Sequence, residues 1–115
     1  MLDFSGREAI VTGGTGPLGR AGDGRLVAAA ATVHVPVYAA AELEGFPYRD
    51  HDAVRLHEGL DLSAEADVAK LFGATNALYA SVHVAGGFAM GPIADTDLGV
   101  WNHLMRCLLY TSDAA

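Results

Sequence analysis

EAIVTGGTGPLGR, residues 8–20, is the stretch whose reading decides the fold. Ala9, Ile10 and Val11 form a short apolar run that reads as a buried strand over about residues 8–12. The run passes straight into glycines and then into PLGRAGDGRLVAAAA, residues 17–31, which reads as a helix. Leu18, Leu26 and Ala29 or Ala30 recur there near helical spacing. Pro17 suits the first helical position, where its missing N–H leaves no bond unmade. Glycines permit tight backbone, and the free N–H groups of a helix N-terminus favour an anion. A glycine-rich turn also serves geometry alone. The order strand, glycines, helix, strand is what points to a nucleotide. No lysine follows at the Walker position, which disfavours nucleoside-triphosphate hydrolysis.

Outward from this stretch the same alternation continues. TVHVPVY (32–38) reads as a second strand, followed by a polar connection to about Asp52, and AVRLHE (53–58) as a third. In DLSAEADVAKLF (61–72), Ser63 is expected to cap a helix, with Glu65 and Asp67 in its first turn. Val68, Leu71 and Phe72 form its apolar face. ALYASVHVAGG (77–87) reads as a fourth strand, again running into glycines, and TDLGVWNHLMR (96–106) starts a helix at Thr96 or Asp97. Strands alternating with helices predict a parallel sheet with right-handed crossovers. The expected fold is a Rossmann-like doubly wound α/β sheet of order 3-2-1-4, truncated after about four strands. Its ligand crevice opens beyond the C-terminal ends of the first and fourth strands.

The bulk numbers agree. With 115 residues, 51% hydrophobic and 18% charged, the chain has the composition of one globular domain. A net charge of −7 argues against nucleic acid or an anionic membrane as partner. The N-terminus, with Asp3, Arg7 and Glu8, lacks the long apolar region of a signal peptide, and no run is long enough to span a membrane. One cysteine cannot form an internal disulfide, so a cytoplasmic location is expected.

Thr12 to Gly19, TGGTGPLG, resembles the opening T-G-x-x-x-G-x-G motif of the short-chain dehydrogenase/reductase family. Thr12, Gly13 and Gly19 match; Pro17 stands at the middle glycine, and Gly16 sits one place earlier. GLDLS (59–63) resembles the family's acidic strand-end motif, VHVAGG (82–87) its N-N-A-G, and TDLGVWNHLMR, with Trp101, the helix that follows. Ala85 and Gly86 match the third motif, whereas His83 and Val84 replace both asparagines. The matches fall in order over about residues 3–106. The resemblance implies an NAD(P)-dependent oxidoreductase that moves hydride between a nicotinamide dinucleotide and a carbonyl or alcohol. It places Gly13, Thr15, Gly16, Leu18 and Gly19 around the pyrophosphate, Asp61 and Leu62 at adenine, and Ala85 and Gly86 near the ribose. Read without the resemblance, Asp61 is equally a turn or cap residue before Ser63. The cofactor stays open between NAD and NADP, because about Val37, where an acid ending the second strand would favour NAD, neither an acid nor an arginine is present. By the same resemblance the parent protein is expected to be a homo-oligomer.

Other candidates carry less. His34, His51, His57, His83 and His103 show no metal-ligand spacing, and only His83, at a strand end, is placed to touch a cofactor. Glu42, Glu44, Asp50 and Asp52 read as a solvated connection. The family's catalytic Y-x-x-x-K is absent: Lys70 is the only lysine, and Ala66 stands four residues before it. No residue is therefore assigned as catalytic, and the chain itself is expected to be inactive.

The last nine residues, CLLYTSDAA (107–115), read as continuing no helix or strand pattern, and Leu108 stands where the family's helical asparagine would fall. They resemble the translation of a transposase-adapter DNA used in library preparation. The expected division is thus an incomplete NAD(P)-binding domain over 1–106 and a non-native tail over 107–115, the natural sequence continuing past Arg106. Gly22, Asp23 and Gly24 lie inside the first helix, where each interior glycine costs roughly 1 kcal/mol against alanine. With the fourth strand as an exposed edge, marginal stability is expected. Two other classes stay open: a non-catalytic nucleotide-binding or sensing module, and a different doubly wound domain whose turn glycines are structural.

Overall fold

The computed structural model describes residues 3–86 and 90–114; within the last helix, side chains are described to Arg106 and at Leu108. Four strands, β1 (Glu8–Thr12), β2 (Thr32–Val37), β3 (Val54–Glu58) and β4 (Leu78–His83), form one parallel sheet of order β3-β2-β1-β4. Three helices accompany them: α1 (Pro17–Ala28), α2 (Glu65–Gly73) and α3 (Leu98–Ala114). Short 3-10 turns occupy Ala40–Leu43 and Ile93–Asp95. This is the expected doubly wound topology, with β1 in the interior of the sheet and β4 at its edge. Gly87, the last residue of the third expected motif, lies outside the described residues.

Strand alternation divides the core in two. Val11, Val33, Val35, Val37 and Val54 face α1 and pack with Leu43 and Phe46, while Leu26 and Val27 of α1 close over them. On the other face Ile10, Leu60 and Leu71 pack together, with Phe72 and Leu78 against them. That face also carries a polar chain across three strands. His34, only 2% exposed, holds Glu8 Oε1 through Nε2 and His57 Nε2 through Nδ1, both at 2.9 Å. Glu8 Oε2 in turn accepts the Asn76 and Ala77 N–H groups at 2.9 and 2.8 Å. The N–H from Ala77, then His34, hold the Glu8 carboxyl below its ordinary pKa. A buried histidine is tolerated at mid-sheet because both its ring nitrogens are engaged.

Several local expectations are corrected. α1 ends at Ala28 rather than Ala31: the Ala31 N–H bonds the Leu26 carbonyl and the Ala30 N–H the Val27 carbonyl, a Schellman ending. Ala30 takes the left-handed position at φ 66°, where glycine is the usual occupant. Leu18 does not share the core face with Leu26. It is 72% exposed, whereas Gly19 beside it in the first turn of α1 is buried against the loop. Ser63 does not cap α2, which begins after Ala64; its hydroxyl donates instead to Asp61 Oδ1 at 2.6 Å, the nearer and charged acceptor.

The backbone of 107–114 continues α3, contrary to the expectation that no helix pattern extends there. Asp97 caps the start of this helix by accepting the Val100 N–H at 2.9 Å, and neither glycine nor proline follows Gly99. A helix once nucleated propagates through such residues. No helix among the described residues is long and apolar enough to cross a membrane.

Candidate functional site: the crevice between β1 and β4

The last residue of β1 makes the crevice. Thr12, 1% exposed, accepts the Val84 and Ala85 N–H groups on its carbonyl at 3.1 and 3.0 Å. Its Oγ1 accepts the same two donors at 3.2 and 3.3 Å. The chain leaving β4 is thereby drawn against the loop leaving β1. Gly13 permits the approach, with φ at 72° and a Cβ there standing 2.7 Å from the Ala85 nitrogen. Gly19 permits a second approach: a Cβ on it would overlap the Gly13 carbonyl, so only glycine lets α1 seat on the loop. These are the two motif positions at which a Cβ would run into backbone; at Gly14 it would meet the Val35 side chain, at 2.9 Å.

The rest of the loop is held from outside. Thr15, 7% exposed, donates its hydroxyl to Glu42 Oε1 at 3.2 Å, and its carbonyl accepts Arg20 Nε at 2.7 Å. Arg20 also reaches the Gly45 carbonyl at 3.3 Å and lies over the Phe46 ring. α1 begins after Gly16 with no side-chain cap and with Pro17 in its first turn. A first helical turn has no carbonyls within the helix for its N–H groups, so this end presents donors to an anion.

Two connected compartments open over this frame. One, of about 370 Å³, is lined by Thr15, Gly16, Pro17, Leu18 and Gly19. The other, of about 310 Å³, is lined by Pro36, Tyr38, Leu60, Asp61, Leu62, Ser63 and His103. Gly13, Glu42, Ala85 and Gly86 border both. All the residues singled out for cofactor binding from sequence therefore lie around one crevice, at the point where the strand order reverses. Asp61 has the turn character expected of it beside Ser63. Its Oδ1 accepts the Ser63 hydroxyl and N–H in a tight turn, which keeps the carboxyl below its ordinary pKa, and it also walls the second compartment.

Glu42 is the residue that sequence reasoning misplaced. It is not part of a solvated acidic connection. The 3-10 turn brings it back to the end of β2, where Oε2 accepts the Tyr38 and Ala39 N–H groups, each at 2.7 Å. Its signal in the sequence was position alone, four residues beyond Tyr38 within AAAEL. Tyr38 and His103 were likewise unassigned and now wall the same compartment. His83 does not line either compartment; its Nε2 pairs with Ser81 Oγ at 2.8 Å. Among the described residues no three His, Cys, Asp or Glu side chains converge as metal ligands.

A parallel doubly wound sheet with a glycine-walled crevice at its switch point belongs to the Rossmann-like class. Solved structures place it more closely. The chain matches a short-chain type dehydrogenase/reductase from Mycobacterium ulcerans at 27% identity and TM-score 0.83, covering 99% of this chain and 46% of that one. It matches a short-chain dehydrogenase/reductase of the glucose/ribitol dehydrogenase type from Brucella melitensis at 19% identity and TM-score 0.84, covering 99% and 52%. A short chain dehydrogenase from Bacillus anthracis matches at 18% identity and TM-score 0.79, covering 94% and 48%. The chain thus has the fold of short-chain dehydrogenases/reductases, and spans about half the length of the solved structures it matches. By sequence, no family model and no curated protein matches it.

Proposed function

We propose that this chain is an N-terminal coenzyme-binding portion of an NAD(P)-dependent short-chain oxidoreductase. The single observation that carries the reading is the contact of Gly13 with Ala85, which joins the ends of β1 and β4 into one crevice. A Cβ at Gly13 or Gly19 would run into the backbone of Ala85 or of Gly13, so the two glycines keep the loop folded close beside the N-terminus of α1, where an anion is favoured. In this reading the first turn of α1, with Gly13, Thr15, Gly16, Leu18 and Gly19, holds the pyrophosphate. Asp61 and Leu62 meet the adenine, and Ala85 and Gly86 lie by the ribose. The bound nicotinamide would supply the hydride chemistry, for a carbonyl or alcohol substrate. This chain contributes binding and orientation, because no Y-x-x-x-K accompanies the crevice.

Glu42 turns the cofactor preference toward NAD. A carboxylate at the end of β2 accepts hydrogen bonds from ribose hydroxyls and repels a phosphate esterified there. Glu42 supplies that carboxylate from the 3-10 turn, in place of an acid on the strand itself. Residues 1–106 are the family-like portion in this reading and 107–115 a foreign tail, which sequencing of the source DNA across codons 95–120 tests.

Titrating the 115-residue chain with NADH, by fluorescence and calorimetry, tests the function. Saturable binding that is lost in Gly13→Ala, with weaker binding of NADPH, is expected. A folded chain that binds neither dinucleotide would refute the proposal and leave the glycines a purely structural role. Turnover of alcohols by this chain would refute the assignment of binding without catalysis.

A further inference from the structure

Asp23 is the most anomalous side chain in the molecule. It sits in the middle of α1 with 0% exposure, and neither carboxyl oxygen has a hydrogen-bond partner in the described structure. A Cβ placed on Gly14 would stand 3.0 Å from Asp23 Oδ1 and 2.9 Å from Val35 Cγ1, so the carboxyl and the valine together enclose that glycine. Gly14 is buried between Gly13, which touches Ala85, and Thr15, which bonds Glu42. Asp23 therefore abuts the inner side of the loop whose outer side walls the crevice.

Among the described residues no charge compensates it. β2 presents Val35 and the loop presents Gly14. On α1, Arg20 is engaged by the Thr15 and Gly45 carbonyls and Arg25 is exposed. Glu42 is occupied by Thr15, Tyr38 and Ala39, and the Tyr48 hydroxyl lies against Gly24. Burial alone raises the Asp23 pKa to about 7. A neutral carboxyl can stay where it is. An ionised one must draw in water or move out, and Gly14 would move with it.

We propose that Asp23 is a positioning residue whose protonation is coupled to binding of a dinucleotide's diphosphate on the far side of the glycine loop. The inference rests on the dinucleotide reading given above. Two effects act in the same direction. The neutral form keeps the loop packed in its binding conformation, and the negative diphosphate across one layer of backbone disfavours a second negative charge behind it. By linkage, a ligand that favours the protonated form takes up a proton on binding, and its affinity falls as pH rises through neutrality. The limit is about tenfold per pH unit above the free chain's pKa.

The test uses the full chain with ADP-ribose, which carries the diphosphate and no nicotinamide. Calorimetry at pH 7.5 in phosphate and in Tris reads proton uptake, and affinities from pH 5.5 to 9 read the profile. Expected are net uptake of up to about three-quarters of a proton and a Kd that weakens towards tenfold per unit above neutrality. Asp23→Asn should lose both the uptake and the slope. The Asp23 carboxyl, followed by carbon-13 resonance in the wild-type chain, should titrate higher with ADP-ribose than without it, which keeps the test open should the variant not fold. Equal uptake and slope in wild type and variant, or an unshifted carboxyl titration, overturns the coupling while leaving the dinucleotide reading intact. A folded chain that binds no ADP-ribose at any pH overturns both.

Discussion

Replacing Asp23 by alanine should alter the pH dependence of stability in one direction only. The folded-state pKa, about 7, lies above the ordinary 3.8 of an exposed aspartate, so the fold holds the proton that the unfolded chain releases. The contribution of Asp23 to stability is then greatest below about pH 4 and declines as pH rises to about 7, where the loss levels off. The shift of about 3 pK units, at roughly 1.4 kcal/mol each, makes the total decline about 4 kcal/mol. That is an upper bound, because an ionised carboxylate relaxes toward water. Asp23→Ala removes the decline and forfeits packing against Gly14 and Val35, a loss of about 1 kcal/mol.

The variant should therefore be the less stable protein below pH 4 by about 1 kcal/mol and the more stable above pH 7 by up to about 3 kcal/mol. Urea unfolding followed by far-UV circular dichroism between pH 3.5 and 8.5 measures both curves. Glu8 and Asp61, whose pKa values are lowered by hydrogen bonds, contribute with the opposite sign. Their stabilisation is present above the unfolded carboxyl pKa and lost as pH falls through the folded one. His57, lowered by burial and then by His34 and Arg55, favours the fold as it loses its proton. All three are common to the two proteins and cancel in the difference. Curves that remain parallel across the range would refute the assignment of an uncompensated buried carboxyl.

Gly13→Ala should cost about 2–4 kcal/mol in urea unfolding, from a left-handed alanine and a Cβ 2.7 Å from the Ala85 nitrogen; a neutral result would mean the ends of β1 and β4 are not in contact. Ala30→Gly should raise stability by about 1 kcal/mol, since Ala30 holds φ 66° at the end of α1, and a loss would show that the helix ends elsewhere. Glu42→Gln should improve NADPH binding relative to NADH by at least about fivefold, because a charge pair at the surface is worth about 1–4 kcal/mol. An unchanged ratio would remove Glu42 from cofactor selection.

The fold was legible because its signals are local and repeated. Strand, glycines and helix appear in that order at residues 8–20, and two strands running into glycine mark the neighbours β1 and β4 before any contact is known. The glycines at which a Cβ would run into backbone, Gly13 and Gly19, are two of the three motif positions that the sequence matched. What sequence could not carry was the return of the chain on itself. Glu42 reads as one acid among several in a polar connection, and only the turn at Ala40–Leu43 converts it into the acceptor for Tyr38, Ala39 and Thr15.

Asp23 shows the same limit from the other side. In sequence it is a poor helix residue between two glycines, and the natural inference is a weak spot in α1. Helical period alone does not reveal that its carboxyl is enclosed by Gly14 and Val35, since neither neighbour is on α1. The small residues around it have a physical use: Gly14 leaves room for the carboxyl, and Gly24 leaves room for the Tyr48 hydroxyl, 2.5 Å from where a Cβ would stand. Filling either space would press on the helix that follows the glycine-rich loop. Four of the glycines therefore answer two separate demands, close backbone approach at Gly13 and Gly19 and room for polar side chains at Gly14 and Gly24. Substitutions should separate them: Gly13→Ala should act on ligand affinity at every pH, whereas changes at Asp23 should act on it only where the carboxyl would ionise.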